Sequence, residues 1–140
     1  MITTATRPNA TGAPGYSETL PREEGSVRRA RLLVSAALNA WGLGGEADAG
    51  ALIASELVTN AVQHGEGQSL RISIRLPERG RVHIAVADKS RTEPVPREAT
   101  NDDVTGRGLL LVNATANEWG TDLRHWGKVV WAELVVESNS

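Results

Sequence analysis

Two runs of strict alternation constrain the fold of this chain more than any other feature. Leu70, Ile72, Ile74 and Leu76 alternate with Arg71, Ser73 and Arg75. Val82, Ile84 and Val86 then alternate with His83, Ala85 and Ala87. A period of two puts every second side chain on one face of a strand. Pro77-Glu78-Arg79-Gly80 separates the runs as a turn, so the pair reads as a hairpin with one apolar face. That face needs a cover, and the segment upstream supplies it. Residues 47–64 are expected to form a helix whose run Ala51-Leu52-Ile53-Ala54 is apolar nearly all round. Such a helix belongs inside, against a sheet.

The remaining elements extend this pattern. Val27, Ala30, Val34, Ala37, Leu38 and Trp41 recur at helical spacing, which predicts a helix over 22–41 ended by Gly42, Gly44 and Gly45. Arg28, Arg29 and Arg31 lie largely off its apolar stripe. They read as a solvated face, or as a docking surface for an acidic partner. Residues 16–20 suit a short first strand stopped by Pro21. Residues 1–15 are rich in Thr, Ala, Pro and Gly and are expected to be a disordered leader. From Lys89 to Gly106 the chain reads as a long mobile loop, followed by a short helix over 109–116. Two strands over 118–124 and 128–136 close the chain, with His125-Trp126-Gly127 as their turn and Trp119 and Trp131 in the core. Helices on one side of a mainly antiparallel, mixed sheet make a two-layer α/β sandwich of the α+β kind. The expected organisation is thus a leader over 1–15 and one domain over 16–140.

Composition removes several function classes. The chain has 140 residues, with a formal net charge of −2 and no basic excess to suit nucleic acid or an anionic membrane. It has no cysteine, so disulfides and thiolate metal sites are excluded. No apolar run approaches the ~20 residues of a membrane span. The first residues lack the apolar core of a signal peptide, and a cytoplasmic protein is expected.

Three clusters carry candidate chemistry. Glu56, Asn60 and His64 stand four residues apart, on one edge of the expected helix. Their neighbours Leu57, Val58, Ala61 and Val62 are apolar, so these polar groups need partners. A metal ion with a phosphorylated ligand is one source, and a structural hydrogen-bond network is another. Asp88 ends a strand at the edge of the core, where it can accept from an exocyclic amine such as adenine N6, or cap the following turn. Finally, Thr105-Gly106-Arg107-Gly108-Leu109 sets two glycines before a helix, where backbone N–H groups can face an anion. Neither the Walker pattern nor the GxGxxG fingerprint is present.

Taken in order, Glu56-Leu57-Val58-Thr59-Asn60-Ala61-Val62-Gln63-His64, Asp88-Lys89-Ser90 and Gly106-Arg107-Gly108-Leu109 resemble the N, G1 and G2 boxes of the GHKL ATPase superfamily. That superfamily includes gyrase, histidine kinases and mismatch-repair ATPases. The small size and the Gly-Lys-Val-Val-Trp ending look most like the anti-sigma-factor serine kinases and their actinobacterial relatives. The resemblance spans about Tyr16 to Val136. It implies ATP and Mg2+ as cofactors. Asn60 would hold Mg2+ and Glu56 would be the general base. Asp88, with Ser90 in the same box, would bind the adenine end. Gly106 and Gly108 would form a hinged lid, with Arg107 and the amides near Leu109 at the phosphates.

The chain departs from the family at two points. Asp88-Lys89-Ser90-Arg91-Thr92 lacks the glycines of the usual first box and follows the Asp-x-Ser form with a later Pro94. Val129 stands where many relatives carry a Thr near adenine. The resemblance implies a serine/threonine protein kinase that phosphorylates an anti-sigma-factor antagonist, sequesters a sigma factor, or both. A homodimer is expected, with no direct nucleic acid or membrane contact. The alternative is an ATP-dependent regulatory binding module with little or no kinase activity.

Overall fold

Both alternating runs form strands. The computed structural model describes residues 7–8, 14–78, 80–90 and 116–135. Its elements are β1 (Arg7–Pro8), β2 (Gly15–Pro21), α1 (Gly25–Ala40), α2 (Ala47–His64), β3 (Ser69–Glu78), β4 (Arg81–Asp88), β5 (Glu118–Arg124) and β6 (Gly127–Val135). A 3-10 turn, Gly44–Glu46, links the helices. The strands form one sheet in the order β1-β2-β3-β4-β6-β5. All its pairings are antiparallel, so the parallel pairing of a mixed sheet is absent among the described strands.

One face of this sheet is the core. Leu70, Ile72 and Ile74 of β3, Val82, Ile84 and Val86 of β4, and Val130, Ala132 and Leu134 of β6 are all buried. The two helices cover them, α1 with Ala30, Leu33, Val34, Ala37 and Leu38, and α2 with Ile53, Ala54, Leu57, Val58 and Ala61. The result is the expected two-layer α+β sandwich. Among the described residues no helix is long and apolar enough to cross a membrane.

Helix α1 starts three residues later than its periodicity suggests, because the chain before it is otherwise engaged. Pro21 pairs with Ser69, and the Arg22 N–H donates to the Gln68 carbonyl at 2.9 Å. The Arg22 guanidinium continues the same tie. Its Nε donates to the Gly67 carbonyl at 2.7 Å and its Nη1 to the Val62 carbonyl at 2.6 Å. A cation at the carbonyl end of α2 also suits the helix dipole. Nearby, Arg29 is exposed with the cluster expected of it and has a partner as well. It forms a two-pronged ion pair with the buried carboxylate of Glu18, at 2.6 and 2.9 Å. Arg28 and Arg31 are exposed as expected.

The tryptophans divide between the faces. Trp119 packs against the core as expected. Trp131 does not: it lies on the opposite face of the sheet, stacked on His83 at 5.6 Å and covering Gly120. Alternation explains this, since Val130 and Ala132 already take the core-facing positions. The loop through Gly106 and the helix expected from Leu109 lie outside the described residues. So does the leader, apart from Arg7–Pro8, which pairs with Tyr16 and Ser17, and residues 14–15, of which Gly15 begins β2.

Candidate functional site

Helix α2 carries the first part of the site along one edge. Asn60 is buried, at 4% exposure, and Glu56 is half-buried one turn earlier. Both lie beside the arc formed by Ile53, Leu57 and Ala61, which faces the core. A helix rises 1.5 Å per residue, so these two groups stand about 6 Å apart along its axis. Burial pushes the Glu56 carboxyl above the usual Glu range, because removing water disfavours the charged form. His64 ends the helix at an exposed position, off this buried edge.

The end of α2 delivers this edge to Asp88. Gly65 follows the helix, its N–H donating to the Ala61 carbonyl at 2.8 Å. A Cβ built on Gly65 would stand 3.0 Å from the Asp88 Cγ and would strike the Ala61 carbonyl. Only a residue without a side chain lets helix and strand approach so closely. The Lys89 N–H donates to the Glu66 carbonyl at 3.2 Å and fastens the same junction. Asn60 thus lies about 7.5 Å along the axis from the residue that touches Asp88.

Asp88 ends β4 on the core face and is 3% exposed. The turn-capping role offered by its sequence position is the one its hydrogen bonds show. Oδ1 accepts from the Ser90 backbone N–H at 2.6 Å, so it shapes the turn that follows the strand. This burial of Ser90, at 1% exposure, places the third residue of the Asp-x-Ser motif beside the carboxylate. Oδ2 is buried and accepts no hydrogen bond among the described residues.

A further residue joins the site that the sequence reading passed over. Lys128, at the start of β6, is 2% exposed. Its Nζ lies 3.1 Å from Asp88 Oδ2 and 3.3 Å from Oδ1. Register explains the meeting. Asp88 and Lys128 are directly opposed across β4 and β6, and opposed residues share a face. Gly127 permits it, since a Cβ there would strike the Asp88 carbonyl oxygen. Val129, the position expected beside adenine, points to the other face with Ala87. Period two applied to Lys128, Val130, Ala132 and Leu134 is the signal that identifies Lys128 as core-facing.

Among the described residues Asp88 and Ser90 meet at the junction of α2 and β4, and Asn60 and Glu56 lie about 7.5 and 13.5 Å back along the axis of α2 from Gly65. Gly106, Arg107, Gly108 and Leu109 lie outside the described residues. No curated protein matches the chain. Among solved structures it is similar to the histidine kinase domain from Erythrobacter litoralis EL346 blue-light activated histidine kinase. The identity is 21%, over 84% of this chain and 62% of that one, with a TM-score of 0.47. The chain therefore spans less than two thirds of that domain's length. The model of the histidine kinase-like ATPase domain matches residues 20–134, from the end of β2 to the end of β6. That match spans the helices and all but the first two strands, and the chain belongs to the histidine kinase-like ATPase domain family.

Proposed function

We propose that this chain binds ATP with Mg2+ and is a serine/threonine protein kinase. In this reading it is an anti-sigma factor that phosphorylates an anti-sigma-factor antagonist in the cytoplasm and works as a homodimer. The observation that carries the kinase reading is the pairing of half-buried Glu56 with buried Asn60 on one edge of α2.

The residues present fit the nucleotide. Asp88 Oδ2 is a buried acceptor suited to an exocyclic amine. Among the described residues no cluster of three or more His, Cys, Asp or Glu is placed to hold a metal ion. A Mg2+ site built on the Asn60 carboxamide oxygen, with phosphate and water oxygens as the other ligands, agrees with the sparing use of protein ligands by that ion. When bound, Mg·ATP supplies the transferable phosphoryl group and the charge neutralisation its transfer needs.

The chain's own residues then have separate tasks. Asn60 orients the phosphate end. Glu56 stands one turn away and takes the proton of an attacking serine or threonine hydroxyl. Its raised affinity for protons makes it a better base than a fully solvated Glu. Asp88 fixes the base end, and the contact of Gly65 with Asp88 holds the two ends at a set separation.

Incubation with labelled ATP, Mg2+ and candidate antagonist proteins tests this reading. Label is expected on a serine or threonine of one antagonist with the unmodified chain. Glu56→Gln is expected to bind ATP without transferring it. If the regulatory output survives in Glu56→Gln, the chain is instead an ATP-dependent binding module.

A further inference from the structure

Lys128 is a buried cation held, among the described residues, against one carboxylate. Its ammonium carries three N–H donors, and among the described residues Asp88 is its hydrogen-bond and ion-pair partner. A buried ammonium is costly unless it is paired and its donors are satisfied. Beyond this ion pair, Asp88 Oδ2 accepts no hydrogen bond there. The pair therefore sets a donor and an acceptor side by side, 3.1 Å apart and buried, at the end of the sheet next to Gly65.

That arrangement is the complement of one edge of a 6-aminopurine. Adenine offers an amine donor at N6 flanked by ring nitrogens that only accept. We propose that Lys128 is a base-reading residue, whose ammonium donates to the ring nitrogen beside the amine that Asp88 Oδ2 accepts from. The inference rests on the ATP-binding reading above and adds a residue to it. Lys128 then acts on base identity and does not merely neutralise Asp88. A purely structural Lys128 would be indifferent to which ring nitrogens a nucleotide carries.

The test compares ATP, 1-deaza-ATP and 7-deaza-ATP by calorimetry with Mg2+ and the full chain. One deaza analogue is expected to bind about tenfold more weakly than ATP, the usual worth of a hydrogen bond from a charged donor. Which analogue weakens identifies the ring nitrogen. In Lys128→Met the difference between ATP and that analogue is expected to vanish. Equal affinities in the unmodified chain overturn the proposal, as does a difference that persists in Lys128→Met. Should that variant not fold, the unmodified chain still decides. Its two lysines are Lys89, exposed, and Lys128, buried, so 15N-lysine labelling isolates the Lys128 ammonium signal. ATP is expected to shift that signal and the weaker analogue to leave it in place; the same shift from both overturns the proposal. Failure to bind ATP at all overturns the ATP-binding reading and this inference together, whereas binding without discrimination overturns this inference alone.

Discussion

Gly65 lies so close to Asp88 that a Cβ built on it would stand 3.0 Å from the carboxylate carbon. This contact joins the helix that carries Glu56 and Asn60 to the strand that carries Asp88. It makes the separation of the two ends of the site a property of backbone packing. Replacing Gly65 by Ala forces the junction apart, at a cost of about 1–3 kcal/mol, the usual range for overpacking. Chemical denaturation should register that loss, and ATP affinity should fall with it. An Ala variant of unchanged stability would mean that the junction yields easily.

Arg22 holds the same junction from the other side, through the Val62 and Gly67 carbonyls. Arg22→Ala removes two hydrogen bonds from a charged donor, one of them exposed. A loss of about 1.5 kcal/mol is expected, at the low end for such bonds. Amide exchange should quicken most over Gly65 to Gln68. Uniform quickening across the chain would contradict a local role.

Glu56 couples the site to pH. Burial raises its pKa in the folded chain. As pH rises through the ordinary Glu range, the unfolded chain loses this proton first, so the folded state loses stability until Glu56 also ionises. Glu56→Gln should therefore melt higher than the unmodified chain at neutral pH, and the gap should close at pH values below the ordinary Glu range. Phosphoryl transfer needs the ionised carboxylate, so its rate should rise with pH through a midpoint above that range. A transfer rate flat across this window would remove Glu56 as the base.

The Asp88–Lys128 pair is nearly fully buried, with both side chains at 2% exposure or less. Breaking one half of such a pair strands a charge, at a cost of about 3–5 kcal/mol, whereas replacing both halves costs far less. Lys128→Met should accordingly destabilise the chain strongly, and Asp88→Asn combined with Lys128→Met should recover most of the loss. Thermal melts of the single and double variants check this. A double variant no more stable than Lys128→Met would contradict the pairing.

Much of this architecture is written locally. The span of α2, Ala47–His64, and the β3–β4 hairpin follow from apolar periodicity. Glu56 and Asn60 share an edge because four residues make about one turn. Asp88 ends its strand where the alternation ends. What was illegible is non-local. Nothing in the residues of β6 says that it inserts between β4 and β5, and that insertion brings Lys128 to Asp88. Trp131 shows the converse error. Expected in the core, it is sent by strand alternation to the far face, where His83 supplies a stacking partner.

The central claim is that Asn60 organises a metal-dependent nucleotide site, and titration of ATP with and without Mg2+ tests it most directly. The unmodified chain should bind ATP more tightly with Mg2+ than without it, and Asn60→Ala should lose that difference while remaining folded by circular dichroism. Unchanged Mg2+ dependence in Asn60→Ala, or no ATP binding by the unmodified chain, would contradict the account.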